Sequence, residues 1–66
     1  VTDQAITTRE KRKCAERELA LRRNVYPKFI AKKSMTQRDA DWQIALMEAI
    51  VSDYRALEAQ EKDETR

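Results

Sequence analysis

The chain has 66 residues, 39% of them charged, with no Gly, no His, one Pro and one Cys. That is at most one domain, and a composition rich in Ala, Glu, Lys, Arg and Leu but poor in turn residues points to long helices and away from sheets. A formal charge of only +2 argues against a strongly basic nucleic-acid binder. The lone Cys14 excludes an internal disulfide and fits a reducing cytoplasm, and no apolar run approaches the roughly 20 residues that span a bilayer.

Val1 to Gln4 show no basic flank followed by an apolar core, so no secretory signal is expected. Thr2 or Asp3 can cap an early turn, and Thr7-Thr8-Arg9-Glu10 has the form of a capping box that starts the first helix near residue 7. From Glu10 to Val25 nothing interrupts the helical pattern. Unrolled at about 100° per residue, the apolar positions form two strips. Cys14, Leu21 and Val25 make one; Ala15, Leu19, Tyr26 and Ile30 make the other. Glu18 and Arg22 lie between the strips at ion-pair spacing. One strip is expected to meet the second helix and the other a partner copy; the alternative is one broad apolar face with Arg22 laid across it.

Pro27 removes an amide and crowds the carbonyl of Arg23, so a bend or restart is expected there, with a last helical stretch to Lys33. Lys32 and Lys33 suit a helix C-terminus. Ser34-Met35 reads as the turn and Thr36-Gln37-Arg38-Asp39 as the next cap, with Met35 stapling onto Ala40. The second helix runs to about residue 62. Its seam is expected at Ala40, Gln43, Met47, Ile50, Tyr54 and Leu57, flanked by Ile44 and Val51 on one side and Leu46 on the other.

Two helices of similar length joined by a short turn fold back antiparallel. Pairs whose numbers sum to about 69 then meet: Phe29 with Ala40, Val25 with Ile44, Leu19 or Leu21 with Met47 and Ile50, Cys14 with Tyr54. Residues 1–33 carry ten cations and four anions, and residues 34–66 four and eight. An antiparallel hairpin lets these halves neutralise each other and disfavours a parallel arrangement. Fixing the chain costs on the order of 100 kcal/mol, more than one seam recovers. The expected architecture is therefore all-α: a two-helix hairpin, kinked at Pro27, pairing into a four-helix-bundle homodimer.

Catalytic equipment is missing. There is no His and no Gly-rich phosphate loop, the carboxylates lack His or Cys at metal-ligand spacing, and Cys14 on an apolar strip reads as packing. The expectation is no enzyme, no metal and no cofactor. The candidate partner-binding residues are Trp42, Tyr26, Arg22, Arg23, Lys28 and Arg38. Trp42 either folds over the hairpin end against Phe29 or Ile30, lies in the dimer contact, or anchors another protein. Arg22, Arg23, Lys28, Lys32, Lys33 and Arg38 gather at the kink and turn with aromatics nearby, a possible nucleic-acid contact, although no helix-turn-helix signature accompanies them.

The block from Ala15 to Arg55 resembles a group of small phage and prophage proteins, through "ERELALRR", "VYP", a Met-Thr turn and "MEAIVSDYR". Where such proteins often have Gly before that turn, this chain has Ser34. The resemblance implies a small protein in the cytoplasm of a bacterial host. Its implied role is to bind, and so inhibit or redirect, a host protein such as a transcription regulator or defence component. A structural part in phage assembly is the other role that it implies.

Overall fold

The hydroxyl of Thr7 accepts a hydrogen bond from the amide of Glu10 at 3.1 Å, and this cap opens the first of two helices. In the computed structural model, which describes the backbone over residues 5–64 and side chains as far as residue 61, α1 spans Thr8–Ala31 and α2 spans Gln37–Glu64. The two lie antiparallel as a hairpin. Thr36 caps α2 as Thr7 caps α1: its Oγ1 accepts from the amide of Asp39 at 3.1 Å. Both caps satisfy amides that have no partner inside the helix. The further cap considered at Thr2 or Asp3 lies outside the described residues.

α1 continues through Pro27 as one element, with no restart. It ends earlier than its sequence suggests, at Ala31, so Lys32 and Lys33 follow the helix. The stop is made by backbone geometry. Lys33 takes φ 62, its amide donates to the carbonyl of Ile30 at 3.0 Å, and the Ser34 amide reaches the carbonyl of Phe29 at 3.0 Å. The Ser34 hydroxyl donates to the same carbonyl at 3.1 Å. These paired bonds around one left-handed residue close a helix C-terminus, a position that usually belongs to Gly. The residue that would gain from being Gly is thus Lys33, and Ser34 sits one position beyond it.

The core is small. Ala15 and Leu19 from α1 and Met47 and Val51 from α2 are buried together, with Ile44 and Tyr54 packed against them, and Ala40 is buried toward the turn. The two strips on α1 separate as expected. Ala15 and Leu19 face α2, with Tyr26 and Ile30 half-buried in the same direction, while Cys14 and Leu21 are exposed and Val25 is half-buried.

On α2 the seam is rotated from its expected phase. It runs through Ala40, Ile44, Met47, Val51, Tyr54 and Glu58, all buried or half-buried. Gln43 is half-buried at its edge, and Ile50 and Leu57 point outward, 40% and 44% exposed. Leu21 and Phe29 likewise stay outside the core at 52% and 41% exposure. Of the ten core candidates, these four do not enter the intramolecular contact. α2 has apolar residues in both phases, and polar partners on α1 decide between them.

A left-handed Lys costs about 1 kcal/mol relative to Gly. Lys33→Gly should therefore raise the thermal midpoint by several degrees, about 4–8 °C per kcal/mol for a domain of this size, measured by circular dichroism. An unchanged or lower midpoint would mean that residue 33 is not held left-handed.

Candidate surfaces for binding

One flank of the hairpin is polar and closed by ion pairs. Arg55 donates to Glu16 through Nε and Nη2 at 2.9 and 2.7 Å. Arg12 donates to Glu16 at 2.8 Å and pairs also with Glu58. Arg23 pairs with Glu48 across the helices, and Thr8 donates to Glu61 at 2.6 Å nearer the open end. The basic start of α1 and the acidic end of α2 do meet; Asp63 and Glu64, counted in the acidic run, have side chains outside the described residues. Hydrogen bonding from Arg55, with the nearby charge of Arg12, holds the Glu16 carboxyl below the usual carboxylate range. The bond to Glu58 raises the pKa of Arg12.

The opposite flank is apolar. Leu46, Ile50 and Leu57 line it on α2 beside Tyr54, and Cys14, Leu21 and Val25 on α1. Near the open end this flank forms a shallow groove of about 430 Å³, bounded by Ile6, Cys14, Ala15, Met47 and Tyr54 among others. Cys14 and Tyr54, expected to approach each other, both border it. Cys14 is exposed rather than packed into the hairpin. The charged pair on this flank, Glu18 and Arg22, is internally satisfied at 3.0 Å, and Arg22 also donates to the carbonyl of Gln43 at 3.0 Å.

The six partner-binding candidates do not form one patch. Arg22 and Arg23 are committed to Glu18 and Glu48 inside the hairpin. Tyr26 is half-buried, its ring centroid 6.1 Å from that of Phe29 with the planes tilted 35°. Trp42 stands apart on α2, 63% exposed, at a helical position turned away from the seam. It does not fold over Phe29 or Ile30. Arg38, one turn earlier, lines the same open depression with Asp39, Asp41 and Ala45. Lys28 is exposed, and among the described residues Lys28, Lys32, Lys33 and Arg38 make no ion pair. What sequence reasoning left out is the open groove at Cys14, Met47 and Tyr54; the apolar strip on α1 was its only signal.

No group of three or more metal-ligating side chains occurs among the described residues, and no helix there is long and apolar enough to cross a membrane. No protein-family model, no curated protein and no solved structure matches the chain.

Glu16 gives the hairpin a pH dependence with a defined sign. Its carboxyl is held below the usual range in the folded state, so its contribution is complete above about pH 4.3, the unperturbed Glu value, and is lost as pH falls through the lower folded value. An acid titration of helicity should show stability declining there, and Glu16→Gln should be less stable at neutral pH with a flatter acid limb. A variant as acid-sensitive as the parent would remove Glu16 from this role.

Proposed function

We propose that this chain is a phage-encoded protein that works by binding another protein in the cytoplasm of the bacterial host, inhibiting or redirecting it, without catalysing a reaction. The observation that carries the reading is Trp42, 63% exposed on the outer side of α2 with Arg38 beside it. Trp and Arg are the residue types most enriched among binding hot spots, where a large ring gains most by leaving water. An intramolecular role would have buried that ring. The phage setting rests on the resemblance carried by residues 15–55. The scaffold is taken as a homodimer in which two hairpins form a four-helix bundle. α1 is taken to bend at Pro27, which cannot donate to the carbonyl of Arg23.

A second reading has one observation behind it: the unpaired cations Lys28, Lys32, Lys33 and Arg38 at the turn end of the hairpin. An electrostatic contact with nucleic acid there would weaken steeply with salt.

Two measurements separate the readings. A tagged protein should recover one host protein at near-stoichiometric level, and Trp42→Ala should weaken that binding by about 2 kcal/mol, roughly 30-fold in Kd. Equal affinity of the variant, or no stoichiometric partner, overturns the protein-binding reading. The nucleic-acid reading instead expects salt-dependent DNA or RNA binding that the double change Lys32→Glu and Lys33→Glu abolishes. Binding that survives this change rejects it.

A further inference from the structure

The hairpin is one helix layer thick, with extents of 50 × 29 × 13 Å, close to the 10–12 Å diameter of a single helix. Its accessible surface is 5659 Å², against about 4,400 Å² expected for a folded monomer of this mass. The surplus, about 1,300 Å², exceeds the roughly 800 Å² that each partner buries in a stable interface. Elongation accounts for part of it, since the radius of gyration is 15.4 Å where a compact chain of this length has about 11 Å.

The apolar surface is not spread evenly around this layer. One flank is occupied by the ion pairs of Glu16 with Arg55 and Arg23 with Glu48. The other presents Leu21, Leu46, Ile50 and Leu57, between 37% and 52% exposed, with Val25 half-buried beside them. The charges in its middle, Glu18 and Arg22, already satisfy each other, so covering this flank strands no unpaired charge there.

We infer, building on the homodimer of the proposed function, that a second copy of this chain covers this apolar flank, and that the two copies lie head to tail. Charge sets the direction. The turn end of each copy carries the unpaired Lys28, Lys32, Lys33 and Arg38, and a head-to-head pair would place two such clusters together. Head to tail, each cluster lies beside the partner's open end, where Arg12 and Arg55 are already balanced by Glu16 and Glu58. The two-fold axis then passes near Leu21, midway along the hairpin, and brings Phe29 of one copy opposite Leu57 of the other. Trp42 remains outside the pair.

The test uses the full chain. Sedimentation at micromolar concentration should show a dimer, and Ile50→Glu or Leu57→Glu should weaken it at least 100-fold while Trp42→Glu leaves it intact. A monomeric parent, or dissociation by the Trp42 change alone, overturns the assignment. Disulfide cross-linking reads direction without relying on a stable monomer. With Cys14→Ala in place, Leu21→Cys should cross-link to itself. Phe29→Cys should cross-link only when mixed with Leu57→Cys; Phe29→Cys joining to itself would mean a head-to-head pair and reject the proposal. A dimer that passes these tests but captures no host protein would reject the functional reading alone.

Discussion

The rotation of α2 about its own axis decides what this molecule buries and what it leaves in water. The apolar residues of α2 fit two seams that share Ala40, Met47 and Tyr54. One continues through Ile50 and Leu57, the other through Ile44 and Val51. Only the second brings Glu48, Arg55 and Glu58 within reach of Arg23, Glu16 and Arg12. Exposed pairs of this kind each contribute little to stability. Choosing between two seams of similar apolar content requires only a small difference, however, and several pairs acting on the same rotation can supply it. The ion pairs therefore act as an alignment device more than as a source of stability, and Ile50 and Leu57 are turned outward as a result.

The parts of the fold that local chemistry dictates could be read from the sequence. Thr7 and Thr36 cap because hydroxyls three residues before free amides have few alternatives, and both bonds are present at 3.1 Å. The antiparallel pairing could be read from complementary charge halves. The division of α1 into an inward strip at Ala15 and Leu19 and an outward strip at Cys14 and Leu21 could be read from spacing alone. The phase of α2 could not, because periodicity in one helix does not contain the positions of charges on its neighbour. Nor could the left-handed residue: with no Gly in the chain, the choice of Lys33 over Ser34 depends on which carbonyls the turn must satisfy. For the surface candidates, the sequence placed Trp42 off the seam. It could not show that Arg22 and Arg23, three or four positions from carboxylates in space or sequence, are already engaged.

Division of labour between surfaces follows from these constraints. A two-helix layer has two broad faces and two edges, and this chain gives them different chemistry. The inner contact takes Ala15, Leu19, Met47 and Val51; one flank takes the ion pairs; the other keeps its aliphatic residues; the outer side of α2 carries Trp42. A small core makes such a hairpin marginal by itself, so an aliphatic flank is most useful as a source of further burial. Leucine and isoleucine contribute area without directional demands, which suits an interface whose main task is stability. A Trp beside an Arg offers a large ring, a hydrogen-bond donor and a charge in one small area, which suits recognition of a specific partner. The two surfaces therefore need not compete. Self-association through the aliphatic flank would stabilise the scaffold while leaving two copies of Trp42 available, so that a partner with two matching sites would be held more tightly than either contact alone permits.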